Sequence, residues 1–142
     1  ARDVVLYGES LGAAVAVQLA TEVEAGGLVL EEPFTSAIEV GQRMFPFLPV
    51  RWLAKSRFDS LGKIGAIRAP LFVLHSRDDE MFPLDHAERL IAAQIEAIRD
   101  GWDDVCDEAE LAPVDRALLR SRMFLNPFVF EGAPLGLRNA KA

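Results

Sequence analysis

The chain has 142 residues and a formal net charge of −7, and its length fits one domain. An acidic balance of this size disfavours nucleic acid or an anionic membrane as a partner, because neither attracts a negatively charged surface. A single cysteine, Cys106, excludes an intrachain disulfide and fits a reducing compartment, so we expect a cytoplasmic protein. The uncharged stretch at residues 11–20 is too short to span a bilayer, and no targeting segment or membrane anchor is expected.

The first predicted element is a strand over residues 3–7, which runs directly into the pentapeptide Gly8-Glu9-Ser10-Leu11-Gly12. This G-x-S-x-G pattern between a strand and a helix is the context of a nucleophile elbow, a sharp turn that lifts a serine hydroxyl clear of the sheet. We expect glycine at both ends of the pattern because the turn leaves little room for side chains. A flexible turn is the alternative interpretation of the same residues.

A helix is predicted over residues 11–23, with one apolar face and a stop at Gly26-Gly27. That face consists of Leu11, Val15, Leu19 and Val23. Further strands are predicted at residues 27–31 and 70–75, each a nearly continuous apolar run. Alternating strands and helices of this kind indicate an α/β fold with a parallel sheet covered on both faces. The right-handed crossover rule places the second strand beside the first.

Residues 33–70 have a different character, with short helical pieces that are interrupted by prolines and contain no strand. Their aromatic residues include Phe45, Phe47, Trp52 and Phe58. Such a segment above the strand ends would serve as a cap or pocket wall. Packing of the same aromatic rings onto the sheet is an equally open interpretation.

An acidic loop follows the third predicted strand, where Asp78, Asp79 and Glu80 come directly after His75-Ser76-Arg77. Ligand and catalytic groups collect at the carboxyl ends of strands in α/β sheets. A carboxylate fixed there can accept an imidazole N–H and so serve as the acid of a catalytic triad. Taken alone, an acidic loop is also typical of a solvated turn.

Residues 1–93 resemble the second half of an α/β-hydrolase, and in particular the small alpha/beta hydrolase domain-containing proteins with a short cap. The resemblance rests on Tyr7-Gly8-Glu9-Ser10-Leu11-Gly12, Glu31-Glu32-Pro33-Phe34, Ile67-Arg68-Ala69-Pro70 with the strand after it, and Asp78-Asp79 before Phe82-Pro83. It implies the C-terminal portion of that fold over residues 1–93, with parallel strands, flanking helices and a cap over residues 34–66. A helical tail is expected over residues 94–142.

The resemblance also implies roles for particular residues. Ser10 would be the nucleophile, Asp79 the acid with Asp78 as its neighbour, and the Leu11 backbone N–H one half of an oxyanion hole. Gly8 and Gly12 would be the elbow glycines. The other oxyanion donor would come from a loop after an earlier strand, which we expect to lie outside this sequence.

The catalytic histidine is not identified. In this superfamily it follows the acid after one further strand, whereas the sequence offers His75 and His86. The resemblance gives His75 a loop-shaping role, and His86 begins the helix after the acidic loop. We therefore expect a serine hydrolase of carboxylic ester, thioester or amide bonds that is incomplete and inactive as this chain, with a small acyl substrate. The alternative is a non-catalytic remnant or interaction module that associates through open sheet edges.

The tail has two predicted helical stretches, one through residues 95–106 and one from Pro113 to residue 123. It weakly resembles the C-terminal end of HipA-type kinases, although the sequence has no glycine-rich phosphate loop or magnesium-binding motif of a kinase. Two histidines and one cysteine lack zinc-ligand spacing, and Asp78-Asp79-Glu80 lacks the order of a calcium loop. No metal and no cofactor are therefore expected.

Overall fold

The computed structural model describes residues 3–122 and Ala133. Within them the strands are β1 (Val5–Glu9), β2 (Gly27–Glu31) and β3 (Leu71–Leu74). The helices are α1 (Leu11–Glu22), α2 (Ala37–Met44), α3 (Val50–Leu53), α4 (Leu61–Ile64), α5 (Asp85–Asp100), α6 (Trp102–Glu108) and α7 (Pro113–Arg122). The chain is thus a mixed α/β structure, as the sequence predicts.

The strands form one parallel sheet in the order β1-β2-β3. β2 lies beside β1, as the crossover rule predicts, and Val29 pairs with Tyr7 on one side and Phe72 on the other. β1 extends to Glu9 and so includes two residues that the sequence assigned to the turn. Ser10 therefore follows directly on the last strand residue, and α1 begins immediately after it.

Helices cover one face of the sheet. Leu28 and Leu30 are fully buried on that face, where α1, α4 and α5 contribute Val17, Ile64 and Leu90 to the same cluster. On the opposite face Val5 is 60% exposed, and Tyr7 and Phe72 are each 58% exposed. The expectation of a sheet covered on both faces is therefore wrong for the described residues, because the helices that pack on the sheet there share one side.

Helix α1 packs through a different face from the predicted one. Its buried residues are small, namely Ala13, Ala14, Ala16 and Val17, whereas the larger Leu11, Val15, Leu19 and Val23 are exposed. Small side chains allow the helix backbone to approach the sheet closely. The prediction that Gly26-Gly27 ends this helix is also wrong, because α1 ends at Glu22 and Val23 is already extended. The Gly26 N–H instead donates to the Val4 carbonyl at 2.8 Å.

Residues 34–66, the segment predicted to form a cap, contain α2, α3 and α4 and no strand. The short helices and the absence of a strand in this segment agree with the prediction. Phe47 is 97% exposed and Trp52 is 90% exposed, so neither ring packs on the sheet. Phe58 packs against the buried pair Phe34 and Phe82, neither of which lies in a strand. A cavity of about 490 Å³ opens beside α2, but polar and charged residues such as Arg43 line it rather than aromatic ones.

The tail is helical as far as the structure describes it. α5 is continuous through the predicted boundary between residues 93 and 94, and the stretch predicted over residues 95–106 is divided between the end of α5 and α6. α7 begins at Pro113, as predicted. Arg116 of α7 ties the last two helices together through an ion pair with Asp107 at 2.5 Å. The predicted end of this helix at residue 123 lies outside the described residues. In the described part, none of the helices combines the length and apolar character needed to cross a bilayer.

Candidate functional site

Ser10 lies at the junction of β1 and α1 in a strained backbone conformation. Its φ of 52° and ψ of −115° lie in a region that residues with a side chain rarely adopt. Its N–H donates to the Glu31 carbonyl at 2.9 Å, so the turn is anchored to the neighbouring strand. The side chain is half-buried and does not cap the helix. The turn thus holds a serine whose hydroxyl is not used in capping α1.

The residue after the serine offers a backbone donor. Leu11 is the first residue of α1, and the first N–H groups of a helix have no partner within the helix. Within the described residues, the Leu11 N–H also donates to no backbone carbonyl outside the helix. The helix dipole adds partial positive charge at this end. This N–H can therefore stabilise an oxyanion that forms beside Ser10.

Several polar residues gather at the carboxyl edge of the sheet. Ser10 follows β1, Glu32 follows β2 and His75 follows β3. The Glu32 N–H donates to the Leu74 carbonyl at 2.9 Å, which holds the ends of β2 and β3 together. Since neighbouring strands lie about 4.8 Å apart, the ends of β1 and β3 are separated by about 10 Å. The structure thus places Ser10 and the Asp79 loop at the same edge, on the two outer strands.

The Asp79 carboxylate is fixed by its own loop. Its Oδ1 accepts the Met81 N–H at 2.7 Å and the Phe82 N–H at 2.9 Å. The Phe82 N–H makes the largest contribution to a pKa held below the usual value for aspartate, and Met81, Glu32 and His75 lower it further. Hydrogen bonds to the charged form favour that form. Asp79 is therefore an oriented anion, as a triad acid needs to be.

Glu32 belongs to the same cluster, although no site function is predicted for it from the sequence. It has a positive φ of 46°, and its Oε1 accepts the Ser76 N–H at 2.8 Å. Its Oε2 lies 3.3 Å from Nδ1 of His75. The signal that could have identified it is an acidic residue directly after a buried strand, since such positions face the carboxyl edge of a parallel sheet.

His75 is buried within this cluster and does not contact Ser10 by a hydrogen bond. Its side chain is 3% exposed, and its Nε2 lies 2.6 Å from the Phe82 carbonyl oxygen. Because a carbonyl can only accept, the Nε2–H donates this hydrogen bond. The histidine therefore fixes the loop that carries Asp79, in agreement with the loop-shaping role that the sequence suggests.

His86 is also directed away from the serine. It is 1% exposed near the start of α5, and its Nδ1 lies 2.8 Å from Oγ1 of Thr35. Thr35 in turn donates to Glu39 at 2.8 Å, and Glu39 forms an ion pair with Arg89. These contacts join the loop after β2 to α5. Neither imidazole is hydrogen-bonded to the Ser10 hydroxyl in the part of the chain that the structure describes.

Burial of His86 predicts a pH-dependent stability. Desolvation lowers its pKa most, Arg89 and Arg43 lower it further, and Asp85 and Glu39 oppose the shift. Below the ordinary pKa of about 6.5 the unfolded chain binds a proton that the folded chain resists. We therefore expect the free energy of unfolding to fall as the pH drops through 6.5 towards the lowered pKa.

Urea denaturation at several pH values would measure this loss. The variant His86→Asn places a polar amide group near the position of Nδ1, and this group does not titrate. We therefore expect the free energy of unfolding of the variant to fall less over the same pH interval. His75 is present in both proteins, so its contribution cancels in the difference. Equal slopes for the two proteins would show that His86 is not the group responsible.

The chain has relatives among curated proteins. It is 44% identical over 93 residues to an uncharacterized protein of Mycobacterium tuberculosis strain H37Rv, an alignment that covers 66% of this chain and 33% of the relative. It is 32% identical over 83 residues to the alpha/beta hydrolase domain-containing protein aho-3 of Caenorhabditis elegans, which covers 58% of this chain and 24% of the relative. Alpha/beta hydrolase domain-containing protein 17B of Homo sapiens is 24% identical over 124 residues, or 87% of this chain and 42% of the relative.

The chain therefore spans between 24% and 42% of the length of these relatives. No family model matches it, and a search of solved structures likewise gave no match. The parallel three-stranded sheet with flanking helices is compatible with part of an α/β-hydrolase fold. The chain thus has distant homologues that are named for the alpha/beta hydrolase domain, as the sequence resemblance suggests.

Proposed function

We propose that the chain carries the nucleophile and the acid of a serine hydrolase that cleaves a carboxylic ester, a thioester or an amide. The observation that carries the proposal is the strained conformation of Ser10 between β1 and α1. Backbone strain of this kind is costly and is found where function requires it. The names of the homologues support the same reaction class.

In the proposed reaction, the Ser10 Oγ attacks the carbonyl carbon of the substrate and the Leu11 N–H stabilises the resulting oxyanion. Asp79 accepts an imidazole N–H and so orients the general base. That imidazole would receive the serine proton and then deliver it to the leaving group. His75 and His86 make other contacts, and the sequence has no third histidine. The base would therefore come from another segment of polypeptide.

Labelling with a fluorophosphonate tests this assignment, because the probe phosphonylates an activated serine. We expect the folded chain to label slowly alone and faster when free imidazole is added as a substitute base. A positioned general base contributes about 10²–10⁴ to a rate, so we expect imidazole to accelerate labelling by about tenfold or more. Mass spectrometry would locate the label and measure its rate.

Two matched pairs of proteins control the experiment. Ser10→Ala should abolish labelling, whereas Ser36→Ala, which changes the serine at the start of α2, should not. Asp79→Asn should reduce the acceleration by imidazole, whereas Asp78→Asn should leave it unchanged, since the Asp79 carboxylate is the one fixed by two backbone N–H groups. Labelling that persists in Ser10→Ala, or a folded chain that imidazole does not activate, would refute the proposed catalytic role.

A second candidate function is that of an interaction module. The open sheet face with Val5, Tyr7 and Phe72 favours it, because each of these residues is more than half exposed. Apolar surface of this kind and open strand edges promote association. A chain that fails to label in imidazole but self-associates in sedimentation velocity experiments would support this second function over the first.

A further inference from the structure

Two buried atoms with lone pairs face each other at the carboxyl edge of the sheet. They are Nδ1 of His75 and Oε2 of Glu32, which lie 3.3 Å apart. Although this distance fits an ion pair, the geometry makes no hydrogen bond, and neither atom has a hydrogen-bond partner elsewhere in the described structure. With the His75 side chain only 3% exposed, water does not readily satisfy these atoms.

The tautomer of His75 determines which of its nitrogens faces Glu32 without a hydrogen. Because its Nε2–H is used by the Phe82 carbonyl, a neutral ring presents a bare lone pair at Nδ1 to the Glu32 carboxylate. Two lone pairs at this separation repel each other unless a proton or a metal cation lies between them. A third oxygen donor is at hand, since the ligand atoms of Glu32, His75 and Asp79 all lie within 4.8 Å of one another.

The distance between Nδ1 of His75 and Oε2 of Glu32 fits a zinc ion. Ligand atoms bound at about 2.0–2.1 Å around a tetrahedral Zn²⁺ are about 3.3 Å apart, which matches the separation of the Nδ1 and Oε2 atoms. A metal-bound histidine commonly donates its other ring N–H to a backbone carbonyl, as His75 does with Phe82. Imidazole with carboxylate oxygens is also a donor set that suits zinc.

We propose that Glu32, His75 and Asp79 form a binding site for Zn²⁺, with a fourth coordination position open to water. No metal is expected from the spacing of residues along the chain. Glu32 lies far from the other two ligands in sequence, and the pairing of β2 with β3 brings them together. The site stands independently of the proposed hydrolase function. If both proposals are correct, Asp79 cannot bind zinc and orient the catalytic imidazole at the same time, so zinc would inhibit hydrolysis.

Zinc titration of the purified chain tests the site without any substrate. Isothermal titration calorimetry and competition with a chromogenic chelator should give one equivalent of bound Zn²⁺. Co²⁺ in place of zinc should give the visible absorption of a low-symmetry site. The variants His75→Ala, Glu32→Gln and Asp79→Asn should each weaken binding by about 100-fold or more, since even changes outside the ligand shell cost 10–100-fold.

Each ligand variant has a matched control that changes a neighbour of the same type. These controls are Glu31→Gln, Asp78→Asn and His86→Asn, and we expect them to bind zinc as the unchanged chain does. His86→Asn also tests the other group of ligands in the described residues, Glu39, Asp85 and His86. Circular dichroism spectra would establish that each variant is folded, and the isosteric Glu32→Gln and Asp79→Asn replace His75→Ala if that variant unfolds.

Two results would overturn the proposal. Stoichiometric binding could be absent in a folded chain, which would mean that a proton rather than a metal ion lies between Glu32 and His75. Binding could also persist in the ligand variants, or be lost in His86→Asn alone, which would move the metal to another group. Both results are independent of fluorophosphonate labelling at Ser10, so the two proposals fail separately.

Discussion

Gly8→Ala is expected to destabilise the folded chain strongly. A Cβ atom at this position would lie 2.2 Å from the Gly12 carbonyl oxygen, 2.5 Å from its carbon and 2.7 Å from the Ala13 nitrogen. All three are backbone atoms of the first turn of α1, so no side chain can rotate away to make room. Overpacking usually costs about 1–3 kcal/mol, and with rigid backbone on one side we expect about 3 kcal/mol or more. Urea denaturation would measure the loss.

Gly12→Ala is the matched control for this prediction. A Cβ at Gly12 meets nothing within 4 Å outside its own helix, and alanine favours a helix over glycine by about 1 kcal/mol. We therefore expect unchanged or slightly increased stability. Similar losses in the two variants would show that the turn, rather than the contact between Gly8 and α1, sets the need for glycine.

The contrast between the two glycines illustrates what the sequence pattern could predict. A strand, a serine and a helix in succession indicate a sharp turn, and the structure has that turn at Ser10. The pattern alone gives both glycines the same explanation. The actual distances depend on how α1 crosses the end of β1, which no spacing of residues encodes.

Covering of the sheet was mispredicted for a related reason. Near-continuous apolar runs such as that in β2 indicate a buried parallel strand, but they do not say which chain segment covers each face. In the described residues α1, α4 and α5 lie on the face of Leu28 and Leu30, and the face of Tyr7 and Phe72 is open. Periodicity also favoured the larger side chains of α1 as its packing face, whereas close approach to the sheet selects the alanines.

The candidate site was predicted in part. The acidic loop is recognisable because it follows a strand, and the family resemblance selects Asp79 within it. The structure adds the two N–H groups that orient Asp79. Glu32 could not be connected to His75 from sequence, because their contact arises from the pairing of β2 with β3. Local patterns thus identify residues that share a loop, while contacts between strand ends emerge only when the sheet is assembled.

Ser10→Gly is expected to stabilise the chain while removing its candidate nucleophile. The φ of 52° and ψ of −115° at Ser10 carry strain of about 1–3 kcal/mol for a residue with a Cβ. Glycine removes that strain, and its greater freedom in the unfolded chain costs about 0.5–1 kcal/mol. We therefore expect a net gain of about 1 kcal/mol in the free energy of unfolding, measured by urea denaturation.

Ser10→Ala distinguishes the effect of backbone strain from the effect of losing the hydroxyl. It keeps the Cβ and therefore the strain, and it removes a hydroxyl that does not cap α1, so its stability should stay within about 0.5 kcal/mol of the unchanged chain. Both variants should lose fluorophosphonate labelling, but only Ser10→Gly should gain stability. If glycine proved destabilising, the conformation at Ser10 would not be strained, and the main support for the proposed hydrolase function would be removed. If the gain is found, the chain retains a serine at a position where glycine would give a more stable fold. Such a loss of stability is expected where function needs the serine hydroxyl.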